Sequence, residues 1–421
     1  MGRPTGARSW PRTTVVTVAV LLGLVAAAAI VHRVLAPAEV LTPARGPVPV
    51  AEQVPPGVIG TLNAAPLVVD DRVRVFATTR QVWADEPVDA KTRRTPYWSY
   101  RRWPAQVTGV LASGETVVTR WSDGEVVALD AQTGRVRWHA AGPEPEGGYA
   151  GRRTGAATVY APEGLRTATA RDGRRVLVVG GRSELRGIDL DSGERLWRVP
   201  VDGSCRTDGF TTATGALVAV DTCATPQVVE VRDAATGAPA TRWRPEGAGP
   251  KLALTGLGCT TEGSACGGVR TGGGGTDRGW RFEPGQPAPV PAPELDRAGT
   301  VLVGSAAVAV EDGGVVARAA GTGVELWRRA GLGPARILAA QPGRVHLFTD
   351  AGDLVNLDPT TGAELSRYPL TYGGDSRSWE PGFAYAGGGL LAVERLAEPV
   401  DPRAADDRYY LAAQPVILAA G

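Results

Sequence analysis

The chain has 421 residues and a net charge of +1, with 45 basic side chains against 44 acidic ones. This balance gives no bulk attraction to nucleic acid or to anionic lipid, so a nucleic-acid partner is not expected. The 56 glycines and 33 prolines favour a domain with many turns, and the length suffices for one large all-β domain with an anchor.

The N-terminal segment has the pattern of a membrane anchor. Residues 1–12 carry arginines but no acidic residue, and an apolar run follows from Val15 to Val31. At about 1.5 Å per residue this run would span about 26 Å, close to the ~30 Å of the hydrocarbon core. We predict a cytoplasmic tail over 1–12 and a transmembrane signal anchor over 13–35, with the bulk of the chain outside. A cleaved signal peptide is the alternative, because Ala36-Pro37-Ala38 loosely resembles a cleavage site.

Residues 36–56 are rich in proline, which favours an extended, semi-rigid linker. We predict that this linker holds the remaining chain, residues 57–421, away from the membrane. Short apolar and alternating runs begin at Leu67 and recur towards the end of the chain, so the remaining chain is predicted to form one all-β domain.

The segment from Tyr97 to Trp103 is unusually rich in aromatic residues and arginine and follows a polar insertion, residues 85–95. On a strand, alternate side chains face opposite sides, so Trp98, Tyr100 and Arg102 share one face. One aromatic face of the strand can pack between structural units, and aromatic and arginine side chains are enriched in binding hot spots. We predict that Trp98, Tyr100 and Arg102 contact a partner. The alternative is an ordinary packing strand.

A predicted β-hairpin from Ala128 to Trp138 has a pattern that recurs along the domain. An apolar strand ends at Asp130, whose side chain can cap the turn, and Gly134 can adopt the positive φ that the turn requires. A half-buried strand then leads to Trp138. The recurring residues are Asp130, Gly134 and Trp138; Asp189, Gly193 and Trp197; Asp233, Gly237 and Trp243; Gly323 and Trp327; and Asp358 and Gly362.

The turn glycines are about 39 to 59 residues apart except for one gap of about 86, which indicates a degenerate copy ending near Trp280. Repeats of this length with strand patterning are typical of β-propeller blades, which bury both faces only in a ring. We predict about eight four-stranded blades, with seven as the alternative, and a strand from before Pro66 that completes the last blade. The tryptophans are expected to pack between blades rather than to bind a ligand.

The motif Ala128-x-Asp130-x-x-Thr133-Gly134-x-x-x-Trp138 resembles the tryptophan-docking repeat of the pyrroloquinoline-quinone (PQQ) type β-propellers. The resemblance covers roughly residues 65–419 and favours eight blades. That superfamily includes quinone-dependent alcohol dehydrogenases and also non-enzymatic members, such as the scaffold lipoprotein of the outer-membrane β-barrel assembly machinery. In the quinone dehydrogenases two adjacent cysteines contact the cofactor, and this chain has no adjacent cysteines. The resemblance therefore favours the non-enzymatic, scaffold-like branch, with no cofactor.

Four cysteines are present, and an even number in an exported chain indicates disulfides. The local pairs are Cys205–Cys223 and Cys259–Cys266, because crossed pairs would have to span separate blades. A metal site is not expected, since no C-x-x-C motif occurs and the histidines are scattered.

No motif for a catalytic nucleophile, a phosphate-binding loop or a zinc protease occurs in the sequence. The repeated aspartates are in register with turns, so they are predicted to be turn caps rather than paired catalytic acids. We predict a membrane-anchored, extracytoplasmic propeller that binds a protein or another cell-envelope partner without catalysis. A quinone- or other cofactor-dependent envelope enzyme on the same fold is the alternative.

Overall fold

The structure is a computed structural model that describes residues 16–17, 20–27, 38–46, 54–71, 73–87, 96–151, 153–261, 263–274, 276–286, 288–373, 379–398 and 414–421. Its strands form eight antiparallel sheets, of which the first has five strands and the others have four. The first strands of most neighbouring sheets contact each other and so converge around a central channel. The fold is therefore an all-β propeller of eight blades, as predicted, rather than seven.

The first blade combines four consecutive strands with one strand from the N-terminal region. Its outermost strand is β1 (Ala38–Thr42), while β2 (Gly57–Leu62) belongs to the last blade. The other four strands, from the channel outward, are β3 (Leu67–Val69), β4 (Val73–Thr78), β5 (Gln81–Pro87) and β6 (Trp98–Trp103).

Blades two to four each consist of four consecutive strands, again running outward from the channel. The second blade contains β7 (Val107–Ser113), β8 (Thr116–Trp121), β9 (Glu125–Asp130) and β10 (Val136–Ala141). The third contains β11 (Leu165–Thr169), β12 (Arg175–Gly180), β13 (Glu184–Asp189) and β14 (Arg195–Pro200). The fourth contains β15 (Phe210–Thr211), β16 (Ala216–Asp221), β17 (Val228–Asp233) and β18 (Pro239–Trp243).

Blades five to eight follow the same order. The fifth blade contains β19 (Ala253–Leu257), β20 (Gly268–Gly272), β21 (Arg278–Arg281) and β22 (Val290–Pro291). The sixth contains β23 (Val301–Val303), β24 (Ala306–Glu311), β25 (Gly314–Ala319) and β26 (Glu325–Arg329). The seventh contains β27 (Ala335–Gln341), β28 (Arg344–Thr349), β29 (Asp353–Leu357) and β30 (Glu364–Pro369). The eighth contains β31 (Glu380–Gly387), β32 (Leu390–Leu396), β33 (Val416–Ala420) and, outermost, β2.

The ring is closed by strand β2, which pairs antiparallel with β33 from Gly57 opposite Ala420 to Leu62 opposite Val416. The prediction that a segment before Pro66 completes the last blade is confirmed by this pairing. Because the two ends of the domain share one sheet, separating the eighth blade from the first requires breaking a strand ladder as well as the interface between these blades.

Strand β1 lies inside the segment predicted as a linker. It pairs with β6, with Ala38 opposite Trp103 and Thr42 opposite Ser99. The Ala44 N–H then donates to the carbonyl oxygen of Thr133 in the second blade at 2.9 Å. Over these residues the chain is therefore part of the first blade rather than a free spacer.

The hydrophobic core consists of layers between neighbouring blades. One such layer joins the second and third blades through Val118, Val126, Leu177 and Ile188, with Trp138 at its outer end. Similar clusters join the fourth and fifth blades and the sixth and seventh. Each sheet thus buries both faces only through its neighbours, which is why the repeats stand in a ring.

The predicted N-terminal anchor lies mostly outside the described residues. Residues 16–17 and 20–27 are helical, whereas the tail 1–12 and the other residues of 13–35 are among those not described. Within the part of the chain that the structure describes, no helix is long and apolar enough to cross a membrane.

Candidate functional site

The two faces of the ring carry different kinds of loop. We call the face with the turns between third and fourth strands, such as Asp130–Gly134, the docking face. The opposite face carries the links from one blade to the next, such as residues 142–164 and 201–209, and we call it the connection face.

Four of the docking turns are organised by an aspartate that caps the backbone. Asp130 Oδ1 accepts hydrogen bonds from the N–H groups of Gln132 at 3.2 Å and Thr133 at 2.9 Å. The same pair of backbone bonds is accepted by Asp189, Asp233 and Asp358. Backbone hydrogen bonds to the carboxylate hold the pKa of Asp358 below its ordinary value. In the structure these aspartates act as turn caps.

Four docking tryptophans each pack on the turn of the following blade. The indole Nε1–H groups of Trp98, Trp138, Trp197 and Trp327 donate to the carbonyl oxygens of Ala131, Leu190, Ala234 and Pro359, respectively, at 2.8 to 3.0 Å. The rings of these four tryptophans cover Gly134, Gly193, Gly237 and Gly362. A Cβ atom at Gly134 would lie 2.6 Å from Trp98 Cγ, and Gly134 has a φ of +70°. Glycine is therefore required there both by contact and by backbone conformation.

The docking pattern is interrupted at the fifth blade, where the sequence indicates a degenerate copy. Trp243 covers no docking turn in the described part of the fifth blade and packs edge-on against Trp280, with ring centroids 4.7 Å apart. The turn at Gly323 in the sixth blade is approached by the side chain of Glu294 instead of a tryptophan. At the interface of the fourth and fifth blades, the indole of Trp280 thus occupies the space next to Trp243 that a docking turn would fill.

The prediction that Trp98, Tyr100 and Arg102 contact a partner is wrong, because these side chains pack inside the propeller. Trp98 and Tyr100 are completely buried, and Tyr100 packs edge-on against Trp121 at 5.7 Å. Arg102 lies over the Trp121 ring at 5.5 Å and forms an ion pair with Asp123 at 2.9 Å. These side chains belong to the interface with the second blade, because Trp98 is the docking tryptophan of the first blade.

Both predicted disulfides are confirmed, and no free cysteine remains. Cys205–Cys223 ties the link between the third and fourth blades to the turn that follows β16. Cys259–Cys266 closes the loop between β19 and β20 in the fifth blade. The first bond therefore lies on the connection face, and the second belongs to a loop on the docking side.

The central channel is occupied from the connection face by the short helix Ala156–Tyr160. This helix contacts β7 and β31, the inner strands of the second and eighth blades. The Tyr160 ring stacks on Tyr385 with centroids 4.9 Å apart, and its hydroxyl donates to the Pro66 carbonyl oxygen at 2.9 Å. The helix is thereby fixed against the first, second and eighth blades.

From the other end, the channel is occupied by the Cys259–Cys266 loop. The Thr211 N–H donates to Gly263 O at 2.9 Å, and the Cys266 N–H donates to Thr211 O at 2.8 Å, so the loop pairs alongside the inner strand of the fourth blade. Ser264 Oγ accepts a hydrogen bond from the Thr167 N–H of the third blade at 3.0 Å. Where this loop approaches the helix, a cavity of about 10 Å³ remains, which is room for about one water molecule.

A larger cavity, of about 360 Å³, opens on the connection face between the second, third and fourth blades. Its walls include the helix at Ala157 and Thr158, residues 145–148 and several glycines. The charged side chains that line it are Arg120, Arg206, Glu146, Glu163 and Asp208. A cavity of this size accommodates a small molecule, so we take it as the candidate site.

Arg120 holds the loops around this cavity together. Its side chain lies at the end of β8 and is 2% exposed. The guanidinium donates to the carbonyl oxygens of Pro143 at 3.3 Å, Glu163 at 3.2 Å and Gly180 at 2.5 Å, and its Nε has no hydrogen-bond partner among the described residues. Burial lowers the pKa of Arg120 to about 10, so the group remains charged at neutral pH. Its hydrogen bonds go to carbonyl oxygens, and the nearby carboxylates of Asp208, Glu146 and Glu163 also favour its charged form.

Arg206 is positioned by its backbone. The backbone of Arg206 forms an isolated antiparallel β-bridge with the backbone of Asp221. The flanking Thr207 N–H donates to Val220 O at 3.1 Å. The preceding Cys205 is held by its disulfide. The guanidinium lines the cavity without a hydrogen bond or ion pair to any residue that the structure describes, and its Nε is buried. Burial lowers its pKa to about 10.

The carboxylates of the cavity are either engaged or exposed. Asp208 accepts hydrogen bonds from Arg166 Nη2 at 2.6 Å and from the Gly164 N–H at 3.2 Å. Glu146 and Glu163 have exposed side chains. Among the described residues, no group of His, Cys, Asp and Glu is arranged to hold a metal ion.

Sequence reasoning missed both arginines of this cavity. Arg120 had a usable signal, because it is the one charged residue in the otherwise buried strand Thr116–Trp121. Arg206 had only its position next to Cys205, since nothing in the sequence shows that its side chain lacks a partner.

Comparison with known proteins finds a family model and several solved structures to which the chain is similar. The family model described as outer membrane protein assembly factor BamB matches residues 51–240. No curated protein sequence matches the chain. Among solved structures, BamB from Moraxella catarrhalis is 15% identical, with 90% of this chain and 99% of that chain covered and a TM-score of 0.42. A europium-containing methanol dehydrogenase is 13% identical, with 90% and 92% covered and a TM-score of 0.39.

The matched region, residues 51–240, contains the first three docking turns. In the structure each of these turns receives the indole of the preceding blade. Taken together, the docking repeats, the eight-bladed ring and the family match over residues 51–240 support the resemblance to the PQQ-type β-propeller superfamily.

Proposed function

We propose that this protein is a non-catalytic binding or scaffold propeller of the cell envelope, held at the membrane by its N-terminal segment. The observation that carries this proposal is the occupied channel. The Ala156–Tyr160 helix and the Cys259–Cys266 loop take up the space on which the inner strands converge. Because the central channel is filled, the rim loops and the outer edges of the blades are the surfaces that remain for partners. Loops on a rigid scaffold commonly carry function.

A protein partner is supported by the family match, since the matching model is described as an outer membrane protein assembly factor. An envelope location is supported by the two disulfides, because such bonds form and persist in oxidising compartments. The arginines before residue 13 support an orientation with the propeller outside the cytoplasm.

The position of β1 determines how an anchored propeller would stand. Only residues 36 and 37 separate the proposed anchor from Ala38, and two residues reach at most about 7 Å. Ala38 lies opposite Trp103, at the connection-face end of the first blade. Trp103 is 40% exposed and stacks with Arg80 at 4.5 Å, a pairing suited to a membrane interface. We therefore propose that the first blade places its connection face next to the bilayer.

The test of function compares stoichiometric capture with turnover. The purified full-length chain, in detergent, should capture a defined protein from solubilised membranes at a fixed ratio. Reconstitution with pyrroloquinoline quinone and calcium should give no saturable oxidation of alcohols or sugars. Saturable turnover would overturn the scaffold proposal in favour of the enzyme alternative.

The test of orientation uses two spin-labelled variants of the full-length chain in liposomes. Trp103→Cys reports on the connection face, and Arg135→Cys is the matched control on the docking face of the adjacent blade. A label at position 103 should contact lipid-soluble relaxants, while a label at position 135 should respond to water-soluble ones. The reverse pattern would show that the docking face is nearer the membrane.

A further inference from the structure

We propose that the connection-face cavity binds a small molecule through one negatively charged group, a carboxylate or a phosphate ester, which Arg206 and Arg120 hold. This site goes beyond the scaffold role, because it needs neither a protein partner nor the N-terminal anchor. Its failure would leave the proposed function untouched.

Arg206 is the primary ligand-binding group. Its guanidinium carries five N–H donors in a planar fork that matches two oxygens of a carboxylate or phosphate. In the described chain none of these donors is used, although the group is partly buried in the wall of the cavity. A guanidinium withdrawn from water without acceptors destabilises the fold, and a bound anion would relieve that penalty.

Arg120 supplies a second positive charge to the same cavity. Three carbonyl oxygens fix its guanidinium, and none of them neutralises it. Because Arg120 is 2% exposed, water screens its charge less than it would screen a charge at the protein surface. Arg120 therefore strengthens binding without having to move.

The carboxylates of the cavity limit the kind of anion that fits. Asp208 is already bonded to Arg166, but Glu146 and Glu163 are exposed at the rim. They repel a second negative charge on the outer part of a ligand and attract a positive one. The preferred ligand therefore has a single anionic group on a neutral or cationic body, as in an amino acid or the headgroup of a zwitterionic lipid.

The arginines are held in place before any ligand binds. The Cys205–Cys223 disulfide and the Thr222 N–H, which donates to Cys205 O at 2.8 Å, fix the segment that carries Arg206. Such preorganisation reduces the entropy lost when a ligand binds. The first disulfide thus also has a role in the site.

The experiment is calorimetric titration of the full-length chain with acetate, glycine and dimethyl phosphate, with glycerol as the neutral control and citrate as the polyanion. At least one of the first three probes should bind saturably at one site per chain. Acetate or glycine would identify a carboxylate ligand, and dimethyl phosphate would identify a phosphate ester. Arg206→Gln should weaken binding about tenfold or more, as expected for charged hydrogen bonds.

Arg336→Gln is the matched control, because Arg336 forms an exposed ion pair with Glu380 at 2.9 Å on the seventh and eighth blades. This variant should bind like the wild type. Arg206→Lys guards against misfolding, since it keeps the charge and should bind more strongly than Arg206→Gln at an unchanged melting temperature. Binding that survives Arg206→Gln, tighter binding of citrate, or no saturable heat from the three probes would overturn the proposal.

Discussion

Replacing Trp98 with alanine should destabilise the propeller strongly, whereas an exposed surface residue would not. The Trp98 side chain is completely buried between the first and second blades, and its Nε1–H donates to Ala131 O at 2.8 Å. Truncating a buried tryptophan removes its packing and leaves a cavity. We therefore expect the free energy of unfolding to fall by about 3–5 kcal/mol.

Replacement by phenylalanine separates the two contributions. The aromatic packing on Gly134 is largely kept, but the buried carbonyl oxygen of Ala131 loses its donor. An unsatisfied buried acceptor costs about 1–3 kcal/mol. Trp98→Phe should therefore lie between the wild type and Trp98→Ala.

The measurement is urea unfolding of the full-length chain, monitored by circular dichroism. Trp103→Ala is the control, because Trp103 is on the same strand but 40% exposed. It should change stability by less than about 1 kcal/mol. Equal effects of the two alanine variants would refute the docking role of Trp98 and revive a contact surface on this strand.

Three further outcomes are expected. Burial lowers the pKa of His346 from 6.5 to about 4, while its Nδ1–H donates to Asn356 Oδ1 at 2.6 Å. As the pH falls, His346 is therefore protonated in the unfolded chain before it is protonated in the folded one. The free energy of unfolding should fall by about 3 kcal/mol between about pH 6.5 and about pH 4. His346→Gln should flatten this part of the pH profile of urea unfolding, and an unchanged slope would contradict the assignment. Breaking the Cys205–Cys223 bond by a double serine replacement should lower stability by about 2–3 kcal/mol and weaken probe binding in the calorimetric titration, whereas unchanged affinity would separate the disulfide from the site. Protease added to intact cells should remove the propeller, and loss only after permeabilisation would reverse the proposed topology.

The docking hairpins could be predicted from the sequence because their geometry is local. Asp130 caps N–H groups only two and three residues away, and Gly134 takes the positive φ within the same turn. The recurrence of this pattern predicted the propeller and its eight blades. The disulfides were equally accessible, since each bond joins neighbouring segments of the chain.

The tertiary structure decided every feature whose partner lies in a different blade. From the sequence of its own strand, Trp98 resembles a binding residue. The turn that buries it belongs to the next blade, and the insertion before the strand hides the repeat pattern. The pairing of β1 with β6 brings together segments that are about 60 residues apart, so a proline-rich composition could not reveal it. The candidate site shows the same limit. Arg206 is distinctive because no acceptor among the described residues reaches it, and only the folded arrangement of three blades determines which donors remain unused.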